Sequence, residues 1–234
     1  MTKPHKRRLF LDHWRGFAVI HMAFFHFSYD LMTFNLWDID TKKDLEWWVQ
    51  PRIIVTFFML AVGSSLVYAH RPHIRWRSFW QRWLKIAAGA VFITAFTFFV
   101  FPEHWVYFGT LHSIATCSLL TLPFLRVPKL ALTTGIGVLL PHFFGLWQWP
   151  FWKLPHSSMD YIPPLPWVGF ALIGVFLAHF DFWGKITARL SETHLKYLKP
   201  LEFCGRHALK IYLLHQPILF STVWALSQAI KVVQ

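Results

Sequence analysis

The chain has 234 residues, of which 55% are hydrophobic and 15% charged, and it holds 14 Trp and 25 Phe. A soluble domain is about 45–50% apolar and about 25% charged, so the composition argues against an ordinary soluble fold and for an integral membrane protein. The net charge of +12 would suggest nucleic acid in a soluble protein, but no nucleic-acid motif accompanies it and the basic residues are segregated by loop.

Seven stretches run without Lys, Arg, Asp or Glu for long enough to approach a span: Gly16 to Tyr29, Ile53 to His70, Ile86 to Pro102, His104 to Leu125, Leu130 to Trp152, Tyr161 to Phe180 and Ile211 to Ile230. A transmembrane helix needs about 20 apolar residues. The first stretch is short and is extended by its charged flanks; its start, KPHKRR, resembles a signal peptide, but His21, His26 and Asp30 interrupt the run and it reads as retained. Pro102, Pro123, Pro128, Pro141, Pro150 and Pro155 mark ends or kinks.

With the N-terminus inside, segments 1–15, 70–85, 125–130 and 179–210 carry 18 of the 23 Lys and Arg. That asymmetry predicts a cytoplasmic N-terminus and an outer C-terminus. The acidic loop of Asp38, Asp40, Asp44 and Glu46 then falls outside, and Trp37, Trp47, Trp48, Trp105, Trp147, Trp149 and Trp152 lie near outer ends as an interfacial belt. The expected fold is all-α: a polytopic bundle of about seven transmembrane helices forming a single domain over residues 1–234. The basic, aromatic segment HRPHIRWRSFWQRWLK reads as an inside loop opening into an interfacial helix, or as a phosphate-binding patch of Arg75, Arg77, Arg82 or Lys85. Gly205 is expected to break the chain before the last helix.

The first span, DHWRGFAVIHMAFFHFSYDL, carries the unusual chemistry. At about 100° per residue, with Arg15 at zero, His26 lies at about 20° and Asp12 and Asp30 at about 60°, while His21 falls on the far side at about 240°. Ionisable groups in a bilayer cost roughly 2.5–3.5 kcal/mol each and normally face the protein interior or a wet cavity. A plainer reading makes Asp12 and Arg15 a solvated pair at the cytoplasmic lip and puts Asp30 at the far interface, but it leaves His26 inside. Asp30 at i+4 from His26 is placed to fix the imidazole tautomer, as in general-base pairs. His112 in GTLHS and His215 in YLLHQP, followed by Gln216 and Pro217, are further candidates. The loop DYIPPLPW is stiff and either caps a cavity or shapes the entry to the sixth span.

Cys117 and Cys204 lack metal-ligand spacing, and neither HExxH nor CxxC occurs, so no metal is expected. No GxSxG elbow occurs, which argues against a serine hydrolase. Haem remains an alternative because facing membrane histidines ligate iron, although it would leave Asp12, Arg15 and Asp30 without a role.

LDHWRGFAVIHMAFFHFSYDL resembles the opening helix of the bacterial DUF1624 family. FGTLH, DYIPPLPW and IYLLHQPIL resemble its later motifs in the same order, from about Arg8 to Leu219. That family is grouped with the catalytic domain of heparan-alpha-glucosaminide N-acetyltransferase and, more broadly, with membrane acyltransferases of the acyltransferase-3 type. In the latter an arginine is followed eleven residues later by a histidine on the first helix, matched here by Arg15 and His26. The resemblance implies transfer of an acyl group, acetyl-CoA or another acyl-CoA being the donor, to a hydroxyl or amine of a sugar- or lipid-linked acceptor at the outer face. Arg15, Arg82 and Lys85 would hold the donor's phosphates. His26 would be general base or transient acyl carrier, with Asp30 orienting it and His112 and His215 assisting. The lipid bilayer is the surrounding partner, and a bacterial cytoplasmic membrane is the expected location. The competing readings are a transporter or flippase-like protein for an anionic lipid or metabolite, a haem-binding membrane subunit, and a polar stripe that only glues helices together.

Overall fold

A computed structural model describes residues 4–38, 45–190 and 192–233. The acidic and basic residues expected in the first outer loop, Asp40, Lys42, Lys43 and Asp44, lie outside them. Every regular element among the described residues is helical, and one parallel bridge joins Phe108 to Tyr161. Each of the seven apolar stretches carries a helix: α1 (Pro4–Thr33), α2 (Leu45–His70), α3 (Trp76–Val100), α4 (Thr110–Thr121), α5 (Pro128–Phe143), α6 (Pro164–His179) and, at the end, α10 (Ala208–Val233). A 3₁₀ turn at Leu122–Phe124 follows α4, and the long segment before α10 folds into α7 (Phe182–Ala188), α8 (Glu192–Tyr197) and α9 (Lys199–Arg206). Two helical stretches, Trp47–His70 and Trp76–Val100, are long and apolar enough to cross a membrane.

Two expectations change. The segment HRPHIRWRSFWQRWLK does not form a separate interfacial helix. Arg75 is the N-cap and α3 runs unbroken from Trp76 to Val100, because no Pro interrupts it and Gly89 is the only Gly in it. Gly205 does not end a helix either: it lies inside α9, and the chain breaks at the cap residue His207.

The chain divides into two compact units, Met1–Leu11 with Phe58–Arg189, and Asp12–Phe57 with Leu190–Gln234. The boundaries fall inside α1 and α2, so each unit is assembled from distant parts of the sequence.

In the first unit, α2 and α6 approach at backbone distance. A Cβ on Gly63 would collide with the Ala171 carbonyl. Beside this crossing the Trp183 indole N–H donates to Ser64 Oγ at 2.8 Å, and Ser64 donates to the Gly174 carbonyl at 2.9 Å. Trp183 is fully buried and stacks on Phe10 at 5.3 Å. Trp83 donates from α3 to the Ala115 carbonyl of α4 at 2.9 Å. One side of α3 stays open and carries Val91, Phe92, Phe96, Phe99 and Val100, with Phe99 81% exposed. So large an apolar surface marks a face that meets lipid or another protein.

The second unit packs α1 on the start of α2 and on α9 and α10. Trp14 donates to the Phe57 carbonyl at 3.0 Å and its ring lies 4.5 Å from that of Phe57. Phe25 meets Trp47 at 5.2 Å, and Phe34 meets Phe220 at 5.1 Å.

The crossing at Gly63 gives a direct test. Gly63→Ala has to push α2 from the Ala171 backbone and should lower stability by about 1–3 kcal/mol, the usual cost of overpacking. Gly137→Ala, on α5 with nothing within 4 Å of the new methyl, should leave it unchanged. Thermal unfolding in detergent reads the difference, and equal melting of the two variants would refute the close crossing.

Candidate active site

The polar stripe of α1 survives in the structure, but as two separate clusters. At its N-terminal end Arg15 Nη2 donates to Asp12 Oδ1 at 2.9 Å. Arg206 of α9 lies 3.7 Å from Asp12 Oδ2 and also pairs with Glu202. The helices can come this close because glycines face each other's partners: a Cβ on Gly205 would strike the Asp12 carbonyl, and one on Gly16 would strike the Leu201 carbonyl. The Asp12 and Arg15 side chains keep only 14% and 28% of their surface exposed, so this is a half-buried network rather than a solvated pair. Neutralised in this way, Asp12 and Arg15 fit a joint that fixes α9 on α1.

The second cluster lies about three turns further along α1. Asp30 is buried, at 1% exposure, so its carboxylate is not open to solvent. Its Oδ1 accepts from Gln216 Nε2 of α10 at 2.8 Å. The expected orienting role of Asp30 towards His26 is therefore replaced by a bond to the opposite helix. His26 instead meets the His215 ring edge-on, with centroids 4.9 Å apart.

The hydrogen bonds fix the chemistry of His215. Its Nδ1 lies 2.7 Å from the Tyr212 carbonyl oxygen. A carbonyl only accepts, so Nδ1 carries the proton and the lone pair of the neutral ring sits on Nε2. That Nε2 is buried and has no partner among the described residues; the same holds for Asp30 Oδ2 and Gln216 Oε1. Buried polar atoms are nearly always hydrogen-bonded. The three open acceptors, on Asp30, on Gln216 bonded to it and on the adjacent His215, suit a ligand that donates O–H or N–H bonds.

The remaining sequence candidates belong to the other unit. His112 accepts from the Gly109 backbone N–H at Nδ1, 3.1 Å, and its Nε2 lies 3.2 Å from Thr94 Oγ1. Thr94 spends its own proton on the Val106 carbonyl at 2.8 Å, so its oxygen accepts from His112 Nε2–H. Both ring nitrogens are in use, and His112 serves as a staple at the N-terminus of α4. Asp160 completes that terminus: its Oδ2 accepts from the Thr110 backbone N–H at 2.7 Å, where a carboxylate also suits the helix dipole. Ile162 N–H donates to the Phe108 carbonyl at 2.9 Å. DYIPPLPW thus closes on FGTLH and forms a helix entry. Arg82 and Lys85 are exposed on the early turns of α3.

The family model for heparan-alpha-glucosaminide N-acetyltransferase, catalytic, matches residues 7–217. The chain belongs to this family. No curated protein and no solved structure matches it significantly. The match covers the first three motifs and the fourth as far as Pro217, and it assigns the chain to a membrane acetyltransferase family.

The family assignment and the geometry both weigh against the haem alternative for the His26–His215 pair. Rings in direct edge contact leave no room for a porphyrin between them, whereas iron held by two imidazoles sits about 2 Å from each nitrogen. Gln216 is the member of the site whose part was least visible in sequence. Its only signal was its position next to His215, and nothing local indicates a bond to a residue 186 positions away.

The Asp30–Gln216 bond should couple the two residues energetically. Gln216→Leu leaves a buried carboxylate without its donor and should cost about 1–3 kcal/mol or more. Adding Asp30→Leu should recover part of that loss, since replacing both partners by apolar groups is far cheaper than removing one. A double-mutant cycle on unfolding midpoints measures it, and strictly additive losses would rule out the bond.

Proposed function

We propose that the chain is an integral membrane acetyltransferase that moves the acetyl group of acetyl-CoA to a hydroxyl or amine of a sugar- or lipid-linked acceptor at the outer membrane face. The observation that carries this reading is the His26–His215 pair beside Asp30 and Gln216, three of whose buried lone pairs await donors. Family membership supports the donor and the acceptor class.

An acceptor X–H reaching this cluster would be held by Asp30 Oδ2 and Gln216 Oε1. His215 Nε2, its tautomer set by the Tyr212 carbonyl, takes the acceptor proton as X attacks the thioester carbonyl. The carbon–sulfur bond breaks, the acetyl group passes to X, and the imidazolium returns its proton to the leaving thiolate. His26, in contact with His215, either shares the base role or carries the acetyl group transiently. This ranks His215 alongside His26. His112, with both nitrogens engaged, is assigned to structure.

The donor is polyanionic, and Arg15, which pairs with Asp12, and the exposed Arg82 and Lys85 of α3 are the cations proposed for its phosphates. The remainder of the reading is a single membrane domain of seven spans with a cytoplasmic N-terminus and an outer C-terminus, in a bacterial cytoplasmic membrane. It is supported by the Lys and Arg asymmetry of the loops, the two long apolar helices and the open phenylalanine face of α3.

Purified protein in nanodiscs, supplied with radiolabelled acetyl-CoA and a panel of amino and hydroxyl sugars, tests the reading. Wild type should transfer label. His26→Ala and His215→Ala should each lose about 100-fold or more, the usual contribution of a positioned acid–base group. His112→Ala should melt earlier yet keep its turnover per folded molecule. A folded wild type that neither hydrolyses nor transfers the acetyl group would sink the mechanism.

A further inference from the structure

A cavity of about 430 Å³ lies in the first unit between the turn joining α2 to α3 and the turn leading from α4 to α5. Its wall contains two arginines, Arg71 and Arg126, and two histidines, His70 and His73, and no Asp or Glu. Trp76 and Leu125 contribute to an apolar floor. The volume falls within the usual range for small-ligand sites.

The hydrogen bonds leave donors on the polar side chains of this wall. His70 Nδ1 accepts from the Arg75 backbone N–H at 3.2 Å, so the neutral ring keeps its proton on Nε2. His73 Nδ1 accepts from Arg126 Nη2 at 3.2 Å, with the same consequence for its Nε2. The Leu125 carbonyl, which would have been an acceptor here, already receives His179 Nε2 at 2.7 Å. Arg71 has no carboxylate partner among the described residues. Two guanidinium groups and two imidazole N–H groups therefore line one cavity with no acid to balance them. Like charges around a common space repel unless an anion sits between them, and guanidinium forks match the oxygens of a phosphate.

We infer that the Arg71–Arg126 cavity binds a phosphate group, supplied either by a soluble phosphate ester or by an anionic phospholipid headgroup. The two histidine N–H groups would complete the oxygen contacts, and the Trp76 and Leu125 floor would take the carbon adjoining the phosphate. The site shares no residue with the His26–His215 cluster and does not depend on the acetyl-transfer reading. Nor does it use Arg82 or Lys85, which do not line the cavity.

The test uses the full chain in nanodiscs of phosphatidylcholine or of phosphatidylglycerol. Pyrophosphate is titrated into the phosphatidylcholine discs by calorimetry, and lipid retained from the phosphatidylglycerol discs is measured by native mass spectrometry. Arg71→Gln removes a charge without breaking a side-chain bond shown here; Lys153→Gln, on an exposed position away from the cavity, is the charge-matched control. Saturable pyrophosphate binding weakened at least tenfold by Arg71→Gln but not by Lys153→Gln supports the soluble source. Retention of phosphatidylglycerol that falls at least fivefold in Arg71→Gln alone, without pyrophosphate binding, supports the lipid source. Arg126→Gln, confirmed as folded by its melting profile, should reproduce whichever loss is seen. Arg71→Gln behaving like Lys153→Gln with both probes would overturn the inference.

Discussion

The need to satisfy polar groups inside an apolar helical chain governs this structure. Little water reaches such an interior, so a buried donor or acceptor must find its partner in the protein or remain costly. The chain meets that demand with short relays between helices. Trp183 gives its indole proton to Ser64, and Ser64 passes its own to the Gly174 carbonyl. Thr94 collects His112 and serves Val106. Asp160 receives the first turn of α4. In each case donor and acceptor balance. The cluster of Asp30, Gln216 and His215 makes one bond between its helices and leaves three buried acceptors over; buried polar atoms without a partner among the described residues also occur elsewhere, as at His13, Ser65 and Thr121. What distinguishes the cluster is that its three open acceptors sit on residues bonded to each other or adjacent in the chain.

The same constraint explains why the four sequence motifs occur together. They are two interlocking pairs. FGTLH and DYIPPLPW form one, in which the second motif supplies the carboxylate that caps the helix begun by the first, and the backbone of Ile162 docks on Phe108. The opening helix and IYLLHQPIL form the other, with Asp30 bonded to Gln216 and His26 against His215. One pair lies in each compact unit. Changing one member of a pair strands a buried polar group on the other, so each motif is physically meaningful only in the presence of its partner.

The helices were largely legible in the sequence because their signal is local. Long runs without charge, bounded by prolines and basic clusters, require helix in an apolar setting. The exceptions were boundaries set by packing. Gly205 looks like a helix stop, yet α9 passes through it because Asp12 needs the space a side chain would fill. The stripe on α1 was legible as well, since helical geometry alone aligns Arg15, His26 and Asp30. Its partners were not: Gln216 and Arg206 reach α1 from the far end of the chain, and no local pattern encodes a contact of that separation. The cavity of Arg71 and Arg126 has no signature in the sequence for the same reason, its two arginines coming from different turns.

Histidine shows most clearly why residue type and position alone do not assign chemistry. His112 and His215 look equivalent in sequence, each near a helix end and each flanked by polar residues. Their neighbours separate them. The oxygen facing His112 Nε2 is a hydroxyl that has already spent its proton, and the group facing Nδ1 is a backbone N–H, so the ring both donates and accepts and has nothing left to offer a substrate. His215 faces a carbonyl, which takes the proton of one nitrogen and thereby leaves the lone pair of the other without a donor among the described residues. A base requires that free lone pair, and the backbone of α10 creates it by offering the Tyr212 carbonyl one turn before the ring. The proton placement on His215 therefore follows from the helix that carries it, and His26 from α1 is the ring that His215 touches.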